Sequence, residues 1–489
     1  MSVSPVRGTR DYLPREMRIR DAMQAIILRT YENNGFQRIQ TPIMEDIERL
    51  DKSDGGENLN MIFRILKRGQ KLDLQKENLT EKDLADMGLR FDLTLPLSRY
   101  FANNKAELRL PFKVIQIGEV FRAERPQKGR LREFYQCDID IIGEETAAAE
   151  QELIHTTAKA LQALGFDEFT VRLNDRRILF DMIETAGFPK EEVLSVCITF
   201  DKLDKIGAEG VRKELTEKGF DRAAIDAFMQ IVGNESITLK EIAEYCGDGR
   251  AARELEALLE SAKELAGGAY GIEYDKSLVR GMGYYTGTIF EIVSPKFKSS
   301  IAGGGRYDKM IGKWIGEDYP AVGFSIGFER ICEILLNSES LSFDAGQKRM
   351  GLFYSDGDVM NDVIRKADEF RAEGYDVTTI RRGKKLGKQI AALENEGFDA
   401  VYVYGDEAVK ELKRQGIDIC MLTGDGQRTA LAVSSRLGIE RFVADALPDD
   451  KAEFIRELQL QGKKVAMVGD GINDSQALAL ADVSIAMGK

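Results

Sequence analysis

Polar and apolar side chains alternate most regularly over residues 114–143. Because successive side chains of a strand point to opposite faces, Arg122 and Glu124 share one face of a first strand. Three polar side chains share one face of the second strand: Gln136, Asp138 and Asp140. The pattern predicts an antiparallel hairpin with one face on a hydrophobic core and the other carrying ordered polar groups. A polar face that meets only water fits the pattern equally well.

The connection between these two strands is strongly basic. It contains four cations, Arg125, Lys128, Arg130 and Arg132. Positive side chains on a loop suit the binding of phosphate groups, so this loop is a candidate contact for a nucleotide or a nucleic acid.

Helical periodicity dominates two other parts of the chain. Apolar residues recur at helical spacing over residues 17–35, after which residues 36–50 predict a short strand and a turn. Residues 52–88 are polar and predict loops around a short strand. Residues 144–275 predict mostly helices, interrupted by a strand-like run at 169–175.

A carboxylate and a hydroxyl lie two positions apart in residues 89–100, LRFDLTLPLSRY, for which we predict an extended conformation. Asp92 and Thr94 would then project from the same face, where they can converge on an ammonium group. An edge strand beside a turn, which Pro96 permits, is the alternative without a function.

Glycines mark two later segments. In residues 278–292 they permit close backbone approach, just before an alternating strand. The polar side chains beside them are Arg280, Tyr284 and Tyr285; packed tyrosines and a surface arginine are the alternative. Residues 301–312 contain three consecutive glycines and predict a tight turn before a helix. Residues 321–336 predict a strand of small residues that leads into a helix.

Composition narrows the classes of protein. A length of 489 residues suggests about two to four domains, and 43% hydrophobic with 31% charged residues is typical of a soluble globular protein. The net charge of −13 argues against a generally basic surface, so contact with RNA would use local patches. Neither a signal peptide nor a membrane span is expected from the hydropathy pattern.

Cysteine and histidine usage narrows the chemistry. The five cysteines lack a CxxC pair, which favours reduced thiols and a cytoplasmic location. His155 is the single histidine, so histidine-based triads and metal sites with several histidines are excluded. Catalysis would therefore use Arg, Asp, Glu, Gln and Tyr.

The hairpin sequence ERPQKGRLREFYQCDIDIIG, residues 124–143, resembles motif 2 of the class II aminoacyl-tRNA synthetases, in the form found in histidyl-tRNA synthetases. The run around Pro42 is similar to motif 1, and the run that contains Arg330 is similar to motif 3. RGMGYYTG, residues 280–287, resembles the histidine-specific motif RGLDYYTG and departs from it at Met282 and Gly283.

This resemblance implies an α+β class II synthetase core, an antiparallel sheet with helices, over residues 1–336. It also implies a mostly helical insertion at about 166–270 that reaches toward the tRNA acceptor arm, and a homodimer formed through the motif 1 helix and strand. The implied reaction is the activation of L-histidine by ATP with Mg2+, followed by transfer to tRNA(His).

The roles of individual residues follow from the resemblance alone. The catalytic pair would be Arg122 and Arg280. ATP would be bound by Arg122, Glu124 and Arg330. Histidine would be bound by Asp92, Thr94, Gln136, Asp140, Tyr284 and Tyr285. The tRNA would contact Arg125, Lys128 and Arg130.

Beyond a polar linker at 337–348, the pattern changes to strands that alternate with helices, which predicts α/β units. Residues 349–409 resemble part of the anticodon-binding domain of class IIa synthetases and contain a basic run at 381–389. We hypothesise that a strand in residues 417–424 pairs into the same sheet and covers its exposed edge.

Residues 410–489 resemble a different family. The sequences TGDGQRTA and MVGDGINDSQALALADV are similar to the phosphorylation domain of heavy-metal P-type ATPases, in the haloacid-dehalogenase superfamily. That domain needs a nucleophilic aspartate, carried by DKTGT in the family, and this string does not occur here; Asp356 and Asp358 are weak substitutes. Asp470 and Asp474 could form a remnant Mg2+ site, and the motifs specify no other metal site.

We therefore expect a histidine–tRNA ligase. One alternative is a non-catalytic, synthetase-like regulatory subunit of ATP phosphoribosyltransferase, which would lack catalytic arginines, whereas Arg122, Arg280 and Arg330 are present. The other alternative is a phosphatase or ATPase that acts through the C-terminal fragment, and the missing nucleophile argues against it.

Overall fold

The computed structural model describes the chain in twelve stretches: 3–51, 61–125, 131–200, 202–234, 236–246, 249–278, 285–295, 297–337, 348–404, 412–437, 439–469 and 474–486. The chain divides into two units, residues 1–345 and 346–489. Within the described stretches, no helix combines the length and the apolar character that crossing a bilayer requires.

The first unit begins with the predicted amphipathic helix and several short elements. They are α1 (Pro14–Asn33), β1 (Gln37–Arg38), β2 (Met44–Asp46), α2 (Ile47–Leu50), β3 (Arg64–Leu66), α3 (Glu81–Leu84), β4 (Ala85–Leu89) and α4 (Thr94–Asn104). Proline at the first helical position suits α1, since its missing N–H would have no partner there. The helix buries Met23, Ile27 and Tyr31 in the main hydrophobic core.

The predicted hairpin is confirmed by β5 (Phe112–Phe121) and β6 (Glu133–Ile142), which pair antiparallel with Gln116 opposite Asp138. One face of β6 places Cys137 and Ile139 in the core. The other face is not a surface exposed to water, because Asp140 is only 2% exposed. The solvated alternative is therefore wrong, and the polar face of the hairpin is an interior surface.

Helices fill most of the chain after the hairpin, as predicted. The elements are α5 (Ala148–Ala163), β7 (Thr170–Asp175), α6 (Arg176–Thr185), α7 (Val193–Phe200), α8 (Leu203–Glu217), α9 (Arg222–Gly233), α10 (Leu239–Cys246), α11 (Arg250–Ala266) and β8 (Gly271–Tyr274). The unit is completed by β9 (Thr288–Ser294), β10 (Phe297–Arg306), α12 (Lys309–Ile315), β11 (Ala321–Ile326) and α13 (Phe328–Asn337).

The central sheet has eight strands in the order β1-β5-β6-β11-β10-β9-β7-β8. The six inner strands are antiparallel to one another, and the edge strands β1 and β8 pair in parallel with β5 and β7. This architecture agrees with the predicted antiparallel sheet with helices. A smaller sheet has the order β2-β4-β3.

Two local predictions are wrong in conformation. The segment with Asp92 and Thr94 is not extended, because Thr94 is the first residue of α4 and Pro96 lies within the first turn, where its missing N–H is tolerated. The three glycines of residues 301–312 do not form a turn. They lie inside β10, a central strand in which backbones and side chains approach closely.

The second unit is α/β, as predicted. Its elements are β12 (Lys348–Tyr354), α14 (Met360–Ala372), β13 (Tyr375–Arg381), α15 (Leu386–Asn395), β14 (Ala400–Val403), β15 (Cys420–Leu422), α16 (Gln427–Leu437), β16 (Arg441–Val443), α17 (Pro448–Leu460), β17 (Ala466–Gly469), α18 (Ser475–Leu480) and β18 (Val483–Ala486). The strands β13-β12-β14 form one parallel sheet.

The hypothesis about residues 417–424 is wrong. Strand β15 does not join the three-stranded sheet of the described residues but pairs in parallel with β16, with Met421 opposite Phe442. Strands β17 and β18 form a further parallel pair. The C-terminal strands therefore build their own small sheets. Most of the predicted linker, residues 338–347, lies outside the described residues.

Candidate active site

A cavity of about 280 Å³ lies on the polar face of the central sheet, over β6, β10 and β11. It collects residues that are far apart in sequence. Seven of the residues to which the resemblance assigns a role line it: Thr94, Arg122, Glu124, Gln136, Asp140, Tyr285 and Arg330. The cavity is therefore the candidate active site.

The remaining predicted site residues have other positions. Asp92 is 2% exposed and lies close enough to Asp138 and Asp140 to raise the pKa of both. Arg125 is exposed and does not line the cavity. Other predicted site residues lie outside the described residues: Lys128, Arg130, Arg280, Tyr284 and Asp470.

The floor of the cavity is rich in buried acceptor atoms. Three of them have no hydrogen-bond partner in the described structure, Gln136 Oε1, Asp138 Oδ1 and Asp140 Oδ2, and the same holds for Oδ2 of the nearby Asp92. A buried acceptor without a donor is unfavourable by about 1–3 kcal/mol, and more for a charged group. The floor is therefore complementary to a ligand that brings several N–H donors and positive charge.

Asp140 is held by a partner that the sequence analysis did not identify. The Tyr307 hydroxyl donates to Asp140 Oδ1 at 2.7 Å. Burial raises the pKa of Asp140 to about 7, against the lowering effect of this hydrogen bond. Tyr307 follows β10 directly and is 1% exposed, and no local pattern in the sequence marks it as a partner of a residue on β6.

Asp92 precedes α4 and accepts a hydrogen bond from the Leu95 N–H at 3.2 Å. Burial raises its pKa to about 6, while that hydrogen bond and the charges of Arg122 and Arg90 lower it. With a pKa of about 6, the Asp92 carboxyl is protonated more readily than an ordinary carboxyl, and a cation bound beside it would lower that pKa again.

The chain next to Asp92 is fixed by Arg90, a second residue that the sequence analysis missed. The Arg90 guanidinium donates to the Glu119 and Thr41 carbonyl oxygens, each at 2.8 Å. A Cβ at Gly118 would lie 2.4 Å from Arg90 Nη2, so glycine leaves the space for this side chain. These contacts attach the Asp92 segment to β5.

Glycines are required on β10 and β11 because atoms of neighbouring strands approach their backbones closely. A Cβ at Gly304 would lie 1.9 Å from the Gly323 carbonyl oxygen. A Cβ at Gly323 would lie 2.0 Å from Asp140 Oδ1, in agreement with the register that places these two residues opposite each other. The small residues of β10 and β11 thus create the room that the carboxyl occupies.

Two arginines form the cationic part of the cavity. Arg122 Nε donates to the Phe91 carbonyl oxygen at 3.0 Å, and its guanidinium carbon lies 5.0 Å from the centre of the Phe134 ring. Arg330, on α13, donates to the Ser300 carbonyl oxygen. The cavity therefore combines acidic groups with two arginines. It could bind a cationic ligand at the acidic groups and an anionic ligand at the arginines.

An ion pair between the buried Arg20 and the partly buried Glu329 connects this site to α1. Glu329 accepts two hydrogen bonds from Arg20, at 2.6 and 2.8 Å, and others from the Tyr135 N–H and the Tyr12 hydroxyl, each at 3.2 Å. No local pattern in the sequence predicts this contact, although Glu329 directly precedes Arg330. The network fixes the start of α13 against β6 and α1.

The other titratable candidates lie outside the cavity. His155 is half-buried on α5, and burial lowers its pKa. All five cysteines are free of disulfides, in agreement with the predicted reduced state. Asp356 forms an exposed ion pair with Arg381, at 2.7 Å, and Asp358 accepts from the Ser355 N–H, so neither points to a nucleophile.

In the second unit, Lys451 Nζ donates to Asp474 Oδ1 at 2.8 Å, and both residues are buried. The Thr423 hydroxyl donates to Asp425 Oδ2 at 3.1 Å beyond the end of β15. In the part of the chain that the structure describes, no group of three or more His, Cys, Asp or Glu side chains could hold a metal ion.

Comparisons with known proteins agree with the architecture. Residues 8–331 match the family model described as histidyl-tRNA synthetase, and residues 286–482 match the model described as haloacid dehalogenase-like hydrolase, so the two matches overlap. The chain is 42% identical to "Histidine--tRNA ligase" of Leifsonia xyli over 81% of its length and 94% of that relative.

Solved structures give the same result. The histidyl-tRNA synthetase of Nostoc sp. PCC 7120 superposes with a TM-score of 0.69 at 27% identity, over 84% of this chain and 93% of that one. An ATP phosphoribosyltransferase regulatory subunit/histidyl-tRNA synthetase from Bacillus halodurans has a TM-score of 0.65, over 82% of this chain and 98% of that one. At 20% identity, the second similarity shows the fold alone.

Proposed function

The chain belongs to the histidyl-tRNA synthetase family, and we propose that its cavity activates L-histidine with ATP and transfers it to tRNA(His). The chain is accordingly an aminoacyl-tRNA synthetase, for which ATP is a substrate. The observation that carries the proposal is the joint presence of buried acceptors without donors and of two fixed arginines in one cavity.

Histidine supplies what the acidic floor lacks. Its α-ammonium group brings three N–H donors and its ring at least one, which match the acceptors of Asp92, Gln136 and Asp140. We assign the α-ammonium group to Asp92, Thr94 and Gln136, and the ring to Asp140 and Tyr285. A site that hydrogen-bonds a ring N–H rejects analogues without it, because its own buried groups would lose their partners.

The first step forms histidyl-adenylate. A carboxylate oxygen of histidine attacks the α-phosphorus of ATP, the bond from that phosphorus to the bridging oxygen breaks, and pyrophosphate leaves with the electron pair. Negative charge grows on the α-phosphate oxygens, and Arg122 lies in the cavity to stabilise it. We assign Arg280, which lies outside the described residues, to the same group from the opposite side.

We assign nucleotide binding to Arg330 and Glu124, which line the cavity with Arg122. In the second step, a hydroxyl of the terminal tRNA ribose attacks the carbonyl carbon of the adenylate, and AMP leaves. We propose that Mg2+ accompanies ATP. Since the described residues hold no group of three metal ligands, phosphate oxygens would supply most of its coordination.

We further propose contacts and assembly beyond the cavity. Arg125 is exposed at the edge of the basic loop and, with Lys128 and Arg130, would contact tRNA phosphates. Ile43 and Met44 are exposed apolar side chains, 39% and 57%, in the segment similar to motif 1, which supports a homodimer. Free cysteines support a cytoplasmic location.

We propose that the chain has the domains whose boundaries the sequence predicts. Residues 1–336 would be the catalytic core with its helical insertion at about 166–270, and residues 349–409 a partial anticodon-binding domain. Residues 410–489 would be a fragment of a P-type ATPase phosphorylation domain within the haloacid dehalogenase-like match. Its role as a phosphatase is not supported, because the string DKTGT does not occur in the chain.

The test is histidine-dependent exchange of pyrophosphate into ATP, measured beside the charging of tRNA(His). We expect exchange with histidine alone among the amino acids, and its loss by about 100-fold or more in Arg122→Ala. Arg222→Ala is the matched control, since the Arg222 side chain is 95% exposed on α9. The absence of exchange with every amino acid would overturn the proposal and favour the regulatory subunit.

Exchange without charging would have a different meaning. It would retain the activation step and show that tRNA engagement fails, which points to the residues beyond 405. Exchange with another amino acid would remove the assignment of Asp140 and Tyr285 to a ring.

A further inference from the structure

Asp138 is a cavity carboxyl to which the motif resemblance gives no role. It lies on β6 between Gln136 and Asp140, one strand repeat from each, and is 4% exposed. Side chains two positions apart on a strand share a face, and Asp138 lines the same cavity as its two neighbours. The floor therefore carries a third carboxyl.

The neighbours of Asp138 leave one of its oxygen atoms without a donor. Gln116, opposite it on β5, is already engaged: its Oε1 accepts from the Thr41 hydroxyl at 3.1 Å and its Nε2 donates to the Leu93 carbonyl oxygen at 3.0 Å. Ser325 lies opposite it on β11, and its side chain lowers the pKa of the Asp138 carboxyl. Oδ1 is buried and has no partner in the described structure.

The surrounding charged groups do not balance the negative charge of an ionised Asp138. Burial raises the pKa of Asp138 well above its ordinary value, and the nearby carboxyls of Asp140 and Asp92 raise it further. The side chains of Ser325 and Arg122 lower the pKa of Asp138. A ligand that brings a cationic N–H group would supply both the missing donor and the missing charge.

We propose that Asp138 is a further substrate-binding residue, whose Oδ1 accepts a hydrogen bond from a cationic N–H group of the bound amino acid. The inference rests on the proposed function, since it concerns the amino acid that this cavity binds. The N–H group belongs either to the α-ammonium group or to the protonated ring, because Asp138 lies between the residues assigned to each. Asp138 thereby helps to select an amino acid that carries N–H donors on both its α-ammonium group and its side chain.

The experiment uses the full chain and the variant Asp138→Asn, which keeps the size of the side chain and a hydrogen-bonding partner for Ser325. We expect the Kd for histidine, measured by calorimetry, to rise by about 10- to 100-fold, as for the loss of a hydrogen bond to a charged group. The KM for ATP should change by less than about twofold. Glu133→Gln, an exposed carboxylate on the same strand, is the matched control.

A second measurement separates binding from folding. Without histidine, Asp138→Asn should melt at a higher temperature than the parent protein, because one of three adjacent buried carboxyls is removed. The rise in melting temperature on adding histidine should be smaller than in the parent. Should the asparagine variant not fold, Asp138→Ser is used for the same two measurements.

Imidazolepropionate, which is histidine without its amino group, distinguishes the two donors. If the variant loses affinity for histidine but not for imidazolepropionate, the contact is to the α-ammonium group; if it loses affinity for both, the contact is to the ring. An unchanged Kd for histidine, within about twofold, would overturn the inference while the parent still performs histidine-dependent exchange. A parent that neither binds histidine nor exchanges would instead overturn the proposed function.

Discussion

Replacing Asp140 by asparagine should make the ligand-free protein more stable at alkaline pH while it impairs histidine binding. The pKa of Asp140 is raised by burial to about 7 from the ordinary value of 3.8. At about 1.4 kcal/mol for each pH unit, that difference means that an ionised Asp140 destabilises the folded state by up to ~4 kcal/mol. Asparagine carries no charge and removes this effect.

The sign of the pH dependence follows from proton binding. The folded protein holds the Asp140 proton more tightly than the unfolded chain, so the free energy of unfolding falls as pH rises from about 4 to about 7 and is level above that. At pH 4.5 the parent carboxyl is mostly protonated and resembles asparagine. At pH 8 the variant should be more stable by about 1–3 kcal/mol, after about 1 kcal/mol for the weakened Tyr307 hydrogen bond.

The assay is urea unfolding without ligand at both pH values, followed by the fluorescence of the single tryptophan, Trp314. This residue lies on α12, so its signal reports on the first unit. Asp167→Asn, an exposed site, is the control. If the parent and Asp140→Asn lose the same stability between pH 4.5 and pH 8, the argument that a buried charged Asp140 is destabilising is refuted.

Three further predictions concern packing and ion pairs. Gly304→Ala should destabilise the first unit by more than about 3 kcal/mol in urea unfolding, because its Cβ would meet a backbone oxygen. The control is Gly233→Ala, whose Cβ would meet no atom within 4 Å, so it should leave the free energy of unfolding nearly unchanged. Glu329→Gln weakens the bidentate contact with Arg20. It should raise the KM for ATP several-fold and the KM for histidine less, because Glu329 adjoins Arg330. Equal effects on the two KM values would contradict a role of Glu329 in positioning the nucleotide site. Lys451→Met leaves a buried carboxylate unpaired and should destabilise the second unit by about 3–5 kcal/mol, seen as earlier proteolysis there, with pyrophosphate exchange unchanged.

The alternation of side chains along a strand and the periodicity of a helix were predicted correctly from neighbouring residues. The alternation along β6 placed Gln136, Asp138 and Asp140 on one face, and the structure confirms that they line one cavity. The period of a strand is sufficient for this inference, since neighbouring side chains alone define it. Helix α1 and the strand that precedes α13 were predicted from local periodicity in the same way.

Contacts across the sheet could not be predicted locally. Three consecutive glycines suggest a turn, but the reason for them is the close approach of other strands: a Cβ at Gly304 would meet the Gly323 carbonyl oxygen of β11, and a Cβ at Gly305 would meet the Thr288 carbonyl oxygen of β9. Likewise, Tyr307 lies 167 positions from Asp140, and Arg20 lies 309 positions from Glu329. The position of Asp92 was useful, although its conformation was wrong, because both an extended segment and the start of α4 bring it near Arg122.

The space that Gly323 leaves beside Asp140 limits how the selectivity of this chain could be redesigned. Any side chain at residue 323 would occupy the position of the Asp140 carboxyl, so substitutions at the two sites are not independent. A library that varies residue 140 while retaining glycine at 323 leaves the space beside Gly323 unchanged. Pockets for shorter, apolar amino acids would require both residues to change together, with a small residue at 140 and a larger one at 323.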